Sequence, residues 1–107
     1  MNRGELWTVS GGVYAAKPRP AIIVQDDLFA ATESVVVIPL TATTVAGAGV
    51  ARIAVPTTTG VTQPSFAMVD KITTVRRSNL GVRVGRVSAA LMADIERSLM
   101  VFLGLAS

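Results

Sequence analysis

The apolar residues of this chain come in short runs separated by glycine, proline and aspartate, and this pattern limits the fold more than any other feature. Residues 21–24 (AIIV) and 35–38 (VVVI) are continuous apolar runs, as in strands that are buried on both faces. Residues 52–55 (RIAV) and 82–87 (VRVGRV) alternate between apolar and other residues, which is typical of strands with one exposed face. In the second of these, Val lies on one face and Arg or Gly on the other, and Gly85 weakens the strand locally.

Further strands are predicted between these runs. Residues 6–9 form a first strand that stops at Gly11-Gly12, and the segment through Lys17-Pro18 is expected to be an exposed loop that ends in Lys-Pro-Arg-Pro. Residues 41–49 and 57–64 are predicted loops, and residues 66–75 suit one bent strand or two. The chain is therefore expected to be mainly β.

The C-terminal segment predicts a helix. Ser88 is a suitable N-cap for a helix that runs to about Leu103, and Gly104 would end it. The residues at helical spacing that we expect in a core or dimer contact are Leu91, Ile95, Leu99 and Met100. The predicted fold is a small antiparallel barrel or curled sheet with one C-terminal helix packed on it.

Length and composition favour one domain, residues 1–107, that contacts a partner. A chain of 107 residues is too short for a second core. Half of its residues are hydrophobic and its mean hydropathy is +0.54, an apolar excess for a small monomer. Part of the surface is therefore expected to face a second subunit.

The chain contains neither cysteine nor histidine. This excludes disulfides, thiolate metal sites, a Ser-His-Asp triad and the usual general base of enzymes. The ten basic residues outnumber the seven acidic ones, and eight of the ten are arginine, whose planar fork suits phosphate. Phosphoryl chemistry by charge stabilisation remains open.

The N-terminal residues include no apolar signal region, and no stretch approaches the ~18 apolar residues that cross a bilayer. A cytoplasmic protein without a membrane segment is expected.

Three motifs occur in order along the first half of the chain: RGELW at residues 3–7, PRPAIIV at 18–24 and VIPLT at 37–41. Pro64-Ser65, then DKI at 70–72 and VGRVS at 84–88, follow in the second half. In this order and at this spacing they resemble the MazF/PemK family of toxins, and the resemblance covers nearly the whole chain.

The resemblance implies an SH3-like small barrel of the MazF/CcdB/Kid type and a homodimer. It also implies the toxin of a type II toxin-antitoxin system, an mRNA interferase that cuts single-stranded RNA at specific sequences without metal or other cofactor. A cognate MazE-like antitoxin would hold it in check. The family's catalytic arginine falls on Arg19 and its catalytic threonine on Thr41.

Further RNA contacts are predicted around these two residues. The resemblance places an RNA-contacting serine at Ser65 and a polar position at Asp70, and Lys71 stands where many relatives carry a glutamine that helps to read RNA. Cleavage specificity therefore does not carry over. The other candidate RNA contacts are Lys17, Gln25, Thr43 and Thr44.

The chemistry of RNA suits these residue types. RNA is cut by its own 2′-hydroxyl once that oxygen is aligned and the charge on the phosphorane is stabilised. Arg19 can contact two phosphate oxygens and the Thr41 hydroxyl can donate to the same phosphate. Since no imidazole is present and no metal is implied to activate water, the expected products carry a 2′,3′-cyclic phosphate and a 5′-hydroxyl.

Each candidate also has a structural interpretation. Arg19 between two prolines could be a solvated loop residue, and Thr43 and Thr44 could be no more than β-prone residues. Trp7 suits a core or interface better than base stacking. Arg76 and Arg77 suit a solvated strand face better than a row of phosphate contacts, while Arg83 and Arg86 suit either. Asp26 and Asp27 suit the cap of a turn better than a metal site.

Two other functions fit a chain of this kind. One is a toxin of the same fold that poisons DNA gyrase without catalysis, and the other is a silent barrel that binds nucleic acid or peptide. The presence of Arg19 and Thr41 favours the nuclease. An antitoxin is expected to lay an acidic, initially disordered tail in the groove that binds RNA.

Overall fold

A computed structural model describes residues 1–11, 15–43 and 49–106, so the candidate Thr44 lies outside the described residues. This part of the chain forms seven strands and one α-helix. Their bounds are β1 (Glu5–Gly11), β2 (Ala15–Ile23), β3 (Ser34–Thr41), β4 (Arg52–Val55), β5 (Ser65–Met68), β6 (Thr73–Arg76), β7 (Leu80–Arg86) and α1 (Ala89–Phe102). Residues 66–75 thus belong to two strands rather than one.

The strands form an antiparallel sheet in the order β4-β5-β3-β2-β1-β7, and β6 also pairs with β3. The central strand β3 changes partner along its length, since Val37 pairs with Thr73 of β6 whereas Thr41 pairs with Phe66 of β5. The expected fold class, mainly β with a C-terminal helix, is confirmed. This change of partner places Thr41, at the end of β3, beside Phe66 near the start of β5.

Two apolar clusters lie on the two faces of the sheet. Ile22 and Val24 belong to the cluster that also contains Ile95 of α1, while Ala21 and Ile23 belong to the other. Because successive side chains of a strand point to opposite faces, this division explains why residues 21–24 are apolar without interruption. All four are buried, as the sequence predicts.

The helix begins and ends as predicted. The Ser88 hydroxyl accepts a hydrogen bond from the backbone N–H of Leu91 at 3.0 Å, which caps the first turn. Gly104 has a φ of 73° and lets the N–H of Leu105 reach the carbonyl of Met100 at 2.7 Å. Ile95 is buried in the core, but Met100 is 49% exposed and contributes little to it.

The prediction of a loop through Lys17-Pro18 is wrong, because these two residues belong to β2. In this part of β2, Arg19 pairs with Val9 and Pro20 with Thr8 of β1. The pairing with β3 covers only residues 21–23, so residues 15–20 have one edge without a strand partner. Proline is tolerated at such an edge because no N–H is required there.

The segment after β4 packs closely against β7. Gly60 has a φ of 115°, and a Cβ atom on Gly85 would overlap the carbonyl oxygen of Thr59. Glycine at position 85 therefore permits a close approach of two backbone segments rather than merely weakening the strand. This contact fixes the chain that leads to residues 61–65.

The predicted alternation in β7 is only partly correct. Val87 is buried and Val84 half-buried, but Val82 is exposed. The pairing of β1 with β7 shifts register on both sides of Trp7, and each shift moves the following side chains to the other face. Such shifts depend on the partner strand and cannot be read from the alternation itself.

Glu5 is the only carboxylate residue buried among the described residues. Its Oε1 accepts hydrogen bonds from the N–H of Asn2 at 2.7 Å and from Nε1 of Trp7 at 3.1 Å, and its Oε2 lies 3.1 Å from Nε of Arg83. The bond from Asn2 lowers the pKa of Glu5 most, to about 2, against the opposing effect of burial. Glu5 thus joins β1 to β7 as a buried anion.

In the described parts of the chain, no helix is long and apolar enough to cross a membrane.

Candidate functional site

The register between β2 and β3 brings Arg19 and Thr41 to the same place. Ala21 pairs with Pro39. Arg19 and Thr41, the last residue of β3, each lie two residues beyond this pair, where the two strands are no longer paired. The two side chains also line the same two cavities.

These cavities lie side by side and share Arg19, Leu40 and Thr41 as a common wall. The small cavity has a volume of about 270 Å³, and its other lining residues are Thr8, Pro20, Ala42, Val61, Thr62, Gln63, Ser65 and Val84. The large cavity has a volume of about 560 Å³, and its other lining residues are Pro39, Met68, Lys71, Thr73 and Thr74. We call the two together the groove.

The groove is positively charged. Among the residues that the structure describes, Arg19 and Lys71 are the two ionisable residues of its lining, and no carboxylate lines either cavity. Within the described residues neither cation has an ion-pair partner. By contrast, Arg52 is paired with Asp70, and Arg3 is paired with Glu96. The positive charge of the groove is therefore available to an anionic ligand.

Thr41 is held in a local turn. Its Oγ1 accepts a hydrogen bond from the N–H of Thr43 at 3.1 Å, which turns the chain away from the sheet directly after β3. As acceptor in this bond, the hydroxyl keeps its own proton for another partner. Thr41 can therefore donate into the groove beside Arg19.

Ser65 and Lys71 reach the groove from two neighbouring segments. Ser65 is buried at the start of β5, and its hydroxyl donates to the carbonyl oxygen of Gln63 at 3.0 Å. Ser65 lines the small cavity, but its hydroxyl proton is already used in the hydrogen bond to the Gln63 carbonyl oxygen. Lys71 ends the 3-10 turn Val69–Lys71 and lines the large cavity with its side chain exposed.

Asp70 does not line the groove. Its two carboxylate oxygens accept from Nε and Nη2 of Arg52 at 3.0 and 3.2 Å. The hydrogen bond from Arg52 lowers the pKa of Asp70. The pair ties the turn that carries Lys71 to β4 and so positions it, and RNA contact by Asp70 stays a prediction.

Gln25, Lys17 and Thr43 also lie outside the lining of both cavities. The Gln25 amide donates to the carbonyl of Phe29 and the hydroxyl of Thr32, and it accepts from the N–H of Val36. These bonds fix the loop between β2 and β3. Direct RNA contact by these three residues stays a prediction, since none of them lines the groove.

Of the two adjacent aspartates, Asp26 caps the following turn as predicted, whereas Asp27 bonds to the N-terminal segment. Asp26 caps the following turn through a bond from the N–H of Leu28, and Asp27 accepts from the N–H of Arg3. Among the described residues, no group of three potential metal ligands of the His, Cys, Asp or Glu type occurs.

Trp7 packs against an apolar cluster, in agreement with its assignment to a core. Arg77 is used in hydrogen bonds to the Thr32 segment, and Arg83 is paired with Glu5. These side chains serve the fold rather than the groove.

Several residues that line the groove are not among those predicted from the sequence. They are Thr8, Thr62, Gln63, Thr73 and Thr74. Gln63 directly precedes the Pro64-Ser65 motif, and that position is the one local signal that could have drawn attention to it. The threonines read as ordinary β-prone residues.

Comparison with known proteins gives one consistent result. The profile of the PemK-like, MazF-like toxins of type II toxin-antitoxin systems matches residues 2–103. A protein of Mycolicibacterium smegmatis named probable endoribonuclease MazF is 47% identical over 109 residues, which cover 99% of each chain.

Solved structures agree with this match. A mycobacterial endoribonuclease in complex with its cognate antitoxin superimposes with a TM-score of 0.85 at 25% identity, over 100% of this chain and 98% of the other. A MazE-MazF complex from Deinococcus radiodurans has a TM-score of 0.82 at 18% identity, over 99% and 98% of the two chains, and shows the same fold.

Proposed function

We propose that this chain, which belongs to the PemK-like, MazF-like toxin family of type II toxin-antitoxin systems, is an endoribonuclease toxin that cuts single-stranded RNA. One observation carries the proposal beyond the family. Arg19 and Thr41 form the common wall of two cavities whose lining, in the described parts of the chain, contains two cations without an ion-pair partner and no carboxylate. A polyanionic strand that follows the groove would pass both residues.

Arg19 stabilises the charge of the reaction. In the proposed step the 2′-oxygen of one nucleotide attacks the adjacent phosphorus, and the bond from phosphorus to the 5′-oxygen breaks. The 2′-hydroxyl loses its proton and the leaving 5′-oxygen gains one, so the products carry a 2′,3′-cyclic phosphate and a 5′-hydroxyl. Two N–H groups of Arg19 contact the phosphate oxygens, where donors of this kind contribute ~3 to 4 kcal/mol.

Thr41 orients the same phosphate. Its hydroxyl has a free proton to donate, and the turn at Thr43 holds the oxygen in place. Neither residue is suited to serve as the general base, because a guanidinium holds its proton too firmly to exchange it at neutral pH and a threonine hydroxyl is a very weak base. Their contribution is positioning and charge stabilisation.

The side chains of the groove also support cleavage without a metal ion. They supply hydroxyls, one amide and two cations, whereas divalent cations are normally held by carboxylates or imidazoles. We therefore expect cleavage to continue when divalent cations are removed.

The proposed partners are a cognate MazE-like antitoxin and a second copy of the chain. The unpaired cations Arg19 and Lys71 suit an acidic antitoxin segment that competes with RNA for the groove. Exposed apolar residues at the end of α1 and just beyond it, such as Phe102 and Leu105, support a homodimer. We place the toxin in the cytoplasm, where its RNA substrates are.

The first test is cleavage of a long RNA by the purified protein in the presence of EDTA. The 5′ ends of the fragments are mapped by primer extension, and the end groups are examined by direct labelling with a kinase, which requires a 5′-hydroxyl. We expect discrete cuts with the wild type and none with Arg19→Ala or Thr41→Ala. Arg97→Ala is the matched control, because this exposed arginine pairs with Asp94 and lines neither cavity of the groove.

The outcome separates the candidate functions. Fragments with a 5′-phosphate would contradict the attack by the 2′-hydroxyl, while equal cleavage by wild type and Arg19→Ala would contradict the site. RNA of varied sequence left intact by the wild type would instead favour gyrase poisoning or a silent binding module. Induction in cells gives a second readout, since only an active toxin arrests growth in an Arg19-dependent way.

A further inference from the structure

The two cavities on either side of Arg19 and Thr41 differ in chemistry. The large cavity is lined by Lys71 and by threonine hydroxyls, which suit the charged sugar-phosphate backbone. The small cavity contains no cation apart from Arg19 on the shared wall, and its other lining is apolar or uncharged. Its volume of about 270 Å³ is below the ~300 to 1,000 Å³ of pockets for drug-sized ligands, which fits a smaller group.

Gln63 is the side chain in the small cavity best suited to read such a group. Its amide presents a donor and an acceptor side by side, as the edge of a nucleobase does, whereas Thr62 offers a single hydroxyl. The amide is exposed and has no hydrogen-bond partner in the described part of the chain. Apolar surfaces from Pro20, Val61 and Val84 border the same space and can contact the faces of a base.

The backbone that carries Gln63 is held in place before a ligand binds. The buried hydroxyl of Ser65 donates to the Gln63 carbonyl oxygen at 3.0 Å, and Pro64 restricts the dihedral angle between them. Upstream, the close contact of Gly60 with Gly85 seats the segment on β7. A side chain on a fixed backbone loses less entropy on binding and discriminates better between ligands.

We infer that the small cavity receives one nucleobase next to the cleaved phosphate and that Gln63 reads its hydrogen-bonding edge. This inference rests on the proposed function, since it names the specificity pocket of the same site. Ser65 is then a positioning residue that holds the Gln63 backbone, and Lys71 is a contact to the RNA backbone that is indifferent to sequence.

The test uses the full chain and a library of RNA with randomised sequence, and the cut sites are determined by sequencing. We expect Gln63→Leu to lower the preference at one base position beside the cut by about tenfold, since a good bidentate contact gives discrimination of this order. Gln63→Glu, which replaces the donor by an acceptor, should change the preferred base at the same position. Lys71→Ala should lower cleavage of all sequences alike and leave the preference at every position unchanged.

Each result bears on one claim. If the wild type cuts at a defined motif and both Gln63 variants keep that motif, the inference is wrong and the proposed function stands. It is also wrong if both variants, with melting temperatures equal to the wild type, cut no sequence at all, because Gln63 would then serve the chemistry. If the wild type cuts no RNA, the proposed function itself has failed.

Discussion

The buried carboxylate of Glu5 predicts how the stability of this fold depends on pH. The group has an ordinary pKa of 4.5 and a folded pKa of about 2, mainly because the N–H of Asn2 donates to it. A group whose pKa is lowered by folding stabilises the protein above its unfolded pKa and loses that contribution as the pH falls through the folded value. The relevant window therefore lies between about pH 5 and pH 2.

The size of the effect follows from the two pKa values. Their difference corresponds to roughly 3 kcal/mol of folding free energy at neutral pH. The Glu5 side chain is only 11% exposed, so screening by solvent reduces this figure little. For a domain of this length, a change of about 3 kcal/mol shifts the melting temperature by more than ~10 °C.

Urea unfolding followed by circular dichroism between pH 2 and pH 7 measures this contribution. We expect the wild type to lose stability steeply below pH 5 and Glu5→Gln to start lower and lose less over the same range. Asp94→Asn is the control, because its partner Arg97 is 72% exposed and such pairs contribute less than ~1 kcal/mol. A Glu5→Gln variant with the pH dependence of the wild type would refute the assignment.

Three further predictions concern the groove and its support. Arg19→Lys should keep the charge but lose the fork that contacts two phosphate oxygens, and we expect kcat to fall by about 100-fold with little change in melting temperature, measured in single-turnover cleavage. Gly85→Ala should lower the unfolding free energy by more than about 2 kcal/mol because its Cβ overlaps backbone, whereas Gly104→Ala, with open space around it, should cost about 1 kcal/mol from its positive φ alone, as urea unfolding can test. Arg52→Ala should release the turn that carries Lys71 and raise KM for RNA several-fold more than it lowers kcat, and an unchanged KM would contradict the positioning role.

The short apolar runs were enough to predict most of the strands. Residues 21–24 lie between two apolar clusters, and burial on both faces leaves a signal that the sequence alone carries. The helix could also be predicted from the sequence, because the N-cap residue Ser88 and the terminating residue Gly104 act on neighbouring residues. Local chemistry therefore determined these elements.

The proline-rich half of β2 could not be predicted from the local sequence pattern. Prolines at positions 18 and 20 argue against a strand unless one edge is unpaired, and that condition depends on where β3 begins to diverge. The register shifts of β7 have the same origin in a partner strand. In both cases the deciding contact joins residues far apart in the sequence.

The site was predictable where it rests on motifs and not where it rests on tertiary contacts. Arg19, Thr41, Ser65 and Lys71 come together in the groove, as expected from the resemblance. Asp70 looks equally polar in the sequence, yet an arginine 18 residues away occupies its carboxylate. A sequence motif shows which groups are available but not which partner each one already has.

The fold separates the two tasks that the proposed enzyme must perform. The charge-stabilising arginine and the orienting threonine come from β2 and β3, whose antiparallel register is enforced by burial on both faces of the sheet. Gln63 comes from the connection between β4 and β5, which is held on the sheet by the backbone contact of Gly60 with Gly85 and by the buried side chain of Val61. The exposed side chain of Gln63 belongs to neither apolar cluster, so it can change without disturbing the packing around Arg19 and Thr41. The same chemistry can therefore be combined with different base preferences.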